Sequence, residues 1–345
     1  MSTVPEDLRK MQARERLPVW FRQRLVKSGG MDRVISLLNE LKLNTVCESA
    51  CCPNRSHCYG QGTATFMVLG DTCTRGCRFC AVRKGKPQPP DDREGERISQ
   101  AVRKLGLKYV VVTSVTRDDL ADGGAGHFAR VVREIRKLNP DVIIELLVPD
   151  FQGKRDLLKI VLGVHPDVIG HNLETVPRLY PDLRSEAKYE RSIELLESVK
   201  LRGNSVLTKS GLMLGLGEER SEVEEVLREL RSVGCDILTL GQYLRPSGKH
   251  FPVVEYISPE EFQQYRRIAL GYGFKAVASG PLVRSSYNAE EIFREISESV
   301  DVPESRSDGN SDADTGGSLR SCSSAGRCAR VDSAVSRLHS AENRR

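Results

Sequence analysis

Six of the ten cysteines in this 345-residue chain fall into two triplets. Cys73, Cys77 and Cys80 are spaced CxxxCxxC, and Cys47, Cys52 and Cys58 are spaced CxxxxCxxxxxC. Thiols this close on one short loop point at a common centre and are too tight for a disulfide framework, so each loop is expected to wrap a metal ion or cluster. Two three-thiolate sites imply two metal clusters. Zinc is the obvious competitor at the first triplet. Structural zinc usually pairs CxxC knuckles and closes a tetrahedron, however, and a lone CxxxCxxC lacks the fourth ligand. A cube of four irons held by three thiolates instead keeps one iron open, where a cofactor can chelate.

The remaining composition fits an enzyme with one sizeable core, since barrels of about 200 to 250 residues routinely form a single domain. No apolar run approaches the roughly 18 residues that span a membrane. The amino terminus lacks an apolar h-region and carries Glu6 and Asp7, which argues against a secretory signal or a transit peptide. A reducing cytoplasm is the expected compartment, where clustered cysteines point to metal rather than to disulfides. The formal net charge of +5 is modest, and part of it comes from arginines near the carboxyl end. It gives no argument for nucleic acid.

The chain divides into three parts. Residues 1–62 form an extension that carries the CxxxxCxxxxxC triplet and a helix expected from Met31 to Leu41. Residues 63–300 alternate short apolar runs with stretches of helical period. Strands are expected near Thr65–Leu69, Tyr109–Thr113, Val142–Val148, Val168–Asn172, Ser205–Met213 and Ile237–Gln242, with a seventh near Ala276–Ser279. Helices are expected at Arg97–Leu105, Gly126–Leu138, Lys154–Leu162, Tyr189–Leu201, Ser221–Val233 and Pro259–Leu270. Six successive βα units with right-handed crossovers give an α/β fold, a partial (β/α)6 barrel of the TIM type. Its active-site groups belong at the carboxyl ends of the strands, where the CxxxCxxC loop falls. Residues 301–345 are rich in Ser, Gly, Asp and Arg and poor in large apolar side chains, so disorder is expected. Cys322 and Cys328 lie there with a spacing that matches neither triplet and are read as exposed thiols.

The CxxxCxxC spacing with Phe79 before the last cysteine resembles the radical S-adenosylmethionine (SAM) superfamily. VCESACCPNRSHCYG, GQGTATFMVLGDTC, VTSVTRDDLADGGAGHFA, IGHNLETVPRLYP, TKSGLMLGLGE, GQYLRPSGKHFPVVEY and SGPLVRSSYNAEE together resemble the lipoyl synthase family, in the order that family shows, from about Pro18 to Phe293. The resemblance implies two [4Fe-4S] clusters and SAM as cofactors. Cys73, Cys77 and Cys80 would hold the radical-SAM cluster, and Cys47, Cys52 and Cys58 an auxiliary cluster whose fourth ligand, a serine of RSSY, maps onto Ser286. Cys51 stands where the family usually has a small residue. Only Cys52 keeps the four- and five-residue gaps and the following Pro53-Asn54. Without the family context, Ser285-Ser286 reads as a helix cap ahead of Asn288-Ala289-Glu290-Glu291.

For SAM, the superfamily's glycine-rich segment maps onto Gly123 and Gly124, although a helix-initiating turn explains those glycines equally well. Asn172 and Glu174 fall where a ribose or carboxylate contact is expected. His171 beside them is expected to be a hydrogen-bonded structural residue, and Cys235 a small buried one.

The implied reaction inserts two sulfur atoms at C6 and C8 of an octanoyl group carried on a protein lysine. The auxiliary cluster would be the sulfur donor. Those carbons are unactivated, so acid-base catalysis has no handle on them. Implied partners are octanoylated lipoyl carrier domains (2-oxoacid dehydrogenase E2, glycine cleavage H protein), a low-potential electron donor such as ferredoxin or flavodoxin, and an iron-sulfur cluster supplier. Arg83, Lys84 and Lys86 form a basic run that either meets an acidic carrier or is simply a solvated face. Another two-cluster radical-SAM enzyme, sulfur-inserting or peptide-modifying, is the alternative; it should lack the paired CxxxxCxxxxxC and RSSY.

Overall fold

The computed structural model describes residues 17–22, 29–202 and 205–300. The amino-terminal 16 residues and the expected tail, with Cys322 and Cys328, lie outside the described residues.

The centre is one sheet of seven parallel strands: β1 (Thr65–Val68), β4 (Tyr109–Ser114), β5 (Ile143–Leu147), β6 (Val168–Gly170), β7 (Leu207–Leu214), β8 (Ile237–Gln242) and β9 (Ala276–Gly280), hydrogen-bonded in that order. Two short strands, β2 (Thr72–Cys73) and β3 (Arg83–Lys84), pair separately. β1 and β9 are the two edges and do not pair with each other, so the barrel is open at one seam.

Every expected strand and helix of the βα series is present, with ends displaced by a few residues. The helices are α4 (Glu94–Leu105), α5 (Ala125–Leu138), α6 (Arg155–Leu162), α8 (Tyr189–Arg202), α9 (Arg220–Ser232) and α10 (Pro259–Gly271); a short α7 (Tyr180–Leu183) precedes α8. Sequence signals set their ends. Ser258 accepts from the Glu261 amide and Glu261 accepts in return, with Pro259 at the first turn, a capping box that starts α10. Gly106, at φ 67°, ends α4 in the left-handed region.

The near-continuous apolar run of β4, Tyr-Val-Val-Val-Thr, is what a strand buried on both faces requires. Val110, Val112, Ile144 and Leu146 face outward against Ile98 and Val102 of α4 and Phe128 and Val132 of α5. Tyr109, Val111, Val168 and Ile237 face the barrel interior, where Ala289, Ile292 and Ile296 of a last helix, α11 (Ala289–Val300), close the amino-terminal end. Phe293 lies 5.7 Å from the Tyr109 ring.

One layer up, the interior is ionic. Lys209 donates to both oxygens of Glu145 at 2.9 and 2.8 Å, and the Tyr109 hydroxyl donates to the same carboxylate at 2.5 Å. Above that pair the inward residues become small or polar, with Thr113, Gly211, Thr239 and Gly241, and the barrel opens into a cavity at the carboxyl ends.

The extension forms α1 (Gly29–Glu40), α2 (Val46–Ser49) and α3 (Arg55–Gly60). Val34, Leu37 and Leu38 of α1 share one apolar core with Phe66 and Val68 of β1, so this segment is built onto the barrel's edge.

Candidate active site

The CxxxCxxC loop leaves β1 through Leu69, whose amide donates to the buried Glu94 carboxylate at 2.9 Å. β2 and β3 then pair in parallel register, Cys73 opposite Lys84, and pinch the loop at its base. Its fastening is mainly electrostatic. Arg75, 6% exposed, reaches Asp118 at 2.6 Å and Asp150 at 2.6 Å, while Arg191 meets the other Asp150 oxygen at 3.1 Å. The Gly76 amide donates to Glu186 at 3.0 Å and the Arg78 amide to the Leu183 carbonyl at 2.9 Å. Burial pushes the Cys80 thiol up to about 12 and raises Cys77 as well, the latter against the pull of Arg184. These are thiols until a metal takes the place of their protons.

The second triplet is assembled by two short helices. Thr45 caps α2 by accepting from the Glu48 amide, and the Cys52 amide returns to the Cys47 carbonyl at 3.1 Å. Burial, then the charges of Cys47 and Cys52, push Cys58 up to about 12; burial and Cys52 also raise Cys47. These three thiols are therefore mutual neighbours. Cys51 lines the same cavity but is exposed, sits at φ 52°, and contributes to neither shift.

The late serine pair returns to the same place. Thr65 Oγ1 donates to Ser286 Oγ at 2.8 Å, and Asn54 Nδ2 donates to the Leu282 carbonyl at 2.6 Å.

Both triplets open onto one cavity of about 350 Å³, lined by Cys47, Cys52, Cys73, Cys77, Cys80 and Ser286. Cys58 is not part of the lining. Among the described residues no three His, Cys, Asp or Glu side chains converge on a point fit for one metal ion. A cube makes no such demand, because each thiolate takes a separate iron.

Asn172 and Glu174 line the cavity too. Burial pushes the Glu174 carboxyl up, against Arg184, Asn172 and Arg284. Gly123 and Gly124 do not reach the cavity. Gly124, at φ 88°, is the N-cap of α5, where a Cβ would overlap the Leu69 side chain, and a Cβ at Gly123 would press on Phe151. The helix-initiating turn accounts for both. The backbone beside the cluster loop is instead Thr113 to Thr116, at the end of β4.

Arg184, missed in the sequence, is the other wall residue on this side. It donates to the carbonyls of Asn172 and Leu173 at 3.1 and 2.8 Å and its guanidinium lies over the Tyr180 ring. Three cavity residues keep a buried polar atom without a partner: Ser114 Oγ, Asn172 Oδ1 and Arg184 Nε. Such groups are costly unless a ligand answers them, and SAM, with its ribose hydroxyls and amino-acid end, supplies the matching donors and acceptors. His171 is not among them. Its Nδ1 donates to the Val148 carbonyl at 2.8 Å and its Nε2 meets Ser192 Oγ at 2.9 Å, the structural role expected of it. Cys235 is fully buried, also as expected.

A model of the Radical SAM superfamily matches residues 67–230, the stretch from β1 through most of α9. A curated lipoyl synthase of Caldicellulosiruptor saccharolyticus is 56% identical over 81% of this chain and 98% of its own length. The chain belongs to the lipoyl synthase family. A second lipoyl synthase, from Caldanaerobacter subterraneus subsp. tengcongensis, is 54% identical over 80% of this chain and 96% of its own length. Membership of a radical-SAM family implies a [4Fe-4S] cluster and SAM, which the first triplet and the wall around Asn172 fit. The crystal structure of Streptococcus suis SuiB bound to precursor peptide SuiA has a TM-score of 0.50 at 10% identity, covering 72% of this chain and 52% of that one, and supports the fold alone. No helix among the described residues is long and apolar enough to cross a membrane.

Proposed function

We propose that the chain is a lipoyl synthase that uses two [4Fe-4S] clusters to insert sulfur at C6 and C8 of a protein-bound octanoyl-lysine. The observation that carries this is the single cavity lined by Cys73, Cys77 and Cys80, by Cys47 and Cys52 of the second triplet, and by Ser286. A radical source and a sulfur donor must reach the same aliphatic carbons, and a shared cavity allows it.

Cys73, Cys77 and Cys80 hold the first cluster, and Cys47, Cys52, Cys58 and Ser286 the second. When bound, the first supplies with SAM the homolytic C–H cleavage that unactivated carbons require, and the second supplies the sulfur. The protein's share is placement. Arg75, Gly76 and Arg78 fix the loop that carries the first three thiols. Asn172, Glu174 and Arg184 hold SAM against that loop. Met67, Leu147, Leu212, Met213 and Val283 give the cavity an apolar wall that aligns an octanoyl chain and excludes water. Ser286 offers an oxygen where iron-sulfur clusters normally have a thiolate, a ligand more easily released when the cluster is dismantled.

The substrate is an octanoylated carrier protein. Lipoyl domains of 2-oxoacid dehydrogenase E2 components and the glycine cleavage H protein are the proposed carriers. A ferredoxin or flavodoxin is proposed as electron donor and an iron-sulfur cluster supplier as source of new clusters. The cytoplasm is the proposed compartment, since it keeps the thiols reduced.

The test is anaerobic turnover of reconstituted protein with octanoyl-lysine carrier, SAM and reductant, read by mass spectrometry. A dithiolane product together with about eight irons per chain supports the proposal. SAM cleavage without sulfur insertion, in protein that carries both cubes, would sink it.

A further inference from the structure

One charge in the cavity wall is not used by the reaction above. Arg284 lines the cavity beside Cys52, Ser286, Asn172 and Glu174. It lies there because β8 carries glycine at 241: a Cβ at that position would overlap the Val283 carbonyl and stand 3.2 Å from Arg284 Nη1. The other arginines of the barrel mouth are answered by protein oxygens, Arg75 by Asp118 and Asp150, Arg117 by Asp119, Arg184 by two carbonyls. Arg284 donates only to the carbonyl of its neighbour Val283, at 2.6 Å, and no carboxylate forms an ion pair with it among the described residues. Cys52 and Glu174 are the two acidic groups close enough to act on its charge.

Half-buried in the cavity wall, a guanidinium with unused donors is left unfavourable wherever water is displaced, unless an anion answers it. The ligand set next to it is anionic by construction. An iron cube ringed by three thiolates and a serine oxygen is left with surplus negative charge, which burial makes equally unfavourable. The inference rests on the two-cluster reading above.

We propose that Arg284 is the counter-cation of the auxiliary cluster. Its guanidinium offsets the negative charge of the Cys47–Cys52–Cys58–Ser286 set from the barrel side, raises that cluster's reduction potential and helps retain its iron.

The experiment compares wild type, Arg284→Gln and Arg284→Lys after anaerobic reconstitution, with iron counts and a redox titration followed by electron paramagnetic resonance. Arg284→Gln is expected to move one midpoint to more negative potential, that of the cluster missing from Cys52→Ala, while the other midpoint stays in place. Arg284→Lys, which keeps the charge, is expected to recover most of the shift. Loss of auxiliary iron in Arg284→Gln with retention in Arg284→Lys supports the proposal in the same way. Should Arg284→Gln fail to fold, Arg284→Met is the second uncharged variant, with the same expected direction. Unchanged midpoints, an equal shift in both clusters, or a lysine variant that behaves like the glutamine one would overturn the assignment. A wild type with a single cube defeats the proposed function instead, so the two failures are distinguishable.

Discussion

Thr65 donates a 2.8 Å hydrogen bond to Ser286 Oγ, joining the first residue of β1 to the loop that follows β9. The bond orients one serine of an adjacent pair and leaves the oxygen a lone pair for iron. Ser286→Ala is expected to abolish sulfur insertion and lower auxiliary iron, while Ser285→Ala keeps both. Thr65→Val removes the hydroxyl that serves both Ser286 and Cys47 and should cost at least roughly 10-fold in auxiliary iron affinity, the usual range for such partners starting there. Iron counts and product yield check all three.

Cys51 and Cys52 differ in surroundings rather than chemistry, since only Cys52 raises the pKa of Cys47 and Cys58. Cys52→Ala is expected to leave SAM cleavage and stop sulfur insertion, and Cys51→Ala to retain both. Cys73→Ala should stop SAM cleavage itself. The reverse pattern at positions 51 and 52 would reassign the ligand.

Arg75 holds two carboxylates, one of them nearly inaccessible. Burial works against the Asp150 charge, yet the hydrogen bonds and charge of Arg75 hold that carboxyl down at about 2. Arg75→Met would leave the buried Asp150 carboxylate to Arg191 and the Gln152 amide alone, at a cost of about 1 to 3 kcal/mol. Thermal denaturation should show the loss, and the first cluster should assemble poorly on a loosened loop.

His171 is held neutral. Burial and then the Arg184 charge pull its pKa from 6.5 to about 4 in the folded protein. As pH falls below that 6.5 the unfolded chain takes up the extra proton first, so stability drops until the folded imidazole also protonates near 4. The full loss is on the order of 3 kcal/mol. Asp150, with its depressed pKa, contributes an acid loss only below its unfolded value of 3.8, outside this window. Melting curves between neutral pH and pH 5 should flatten in His171→Gln relative to wild type; parallel curves would show that His171 carries no such dependence.

The periodic parts of the fold were legible because each strand is a short apolar run and each helix a face, with caps such as Ser258 and Glu261 spelled out locally. Thiol spacing likewise marked both ligand sets. What escaped was long-range. Arg184 and Arg284 earn their places through tertiary packing, on Tyr180 and over Gly241, that no local pattern encodes. β2 and β3 are too short to show a period. Gly123 and Gly124 show the limit of local reading, since a glycine pair at a helix start looks the same whether it cradles a ligand or clears Leu69 and Phe151.

β1 and β9 do not pair with each other, and the outer edge of β1 is met instead by the extension, where the Met67 amide donates to the Asn44 carbonyl at 2.9 Å and Thr45 bridges Phe66. The cysteines of the auxiliary set precede one edge and its serine follows the other, with Asn54 and Leu282 tied across the gap. A cylinder laced by side chains along one slit can be unlaced there. On the proposed two-cluster reading, replacing the sulfur donor there breaks no bond among the seven strands, so the catalytic frame would survive the loss of its own reagent.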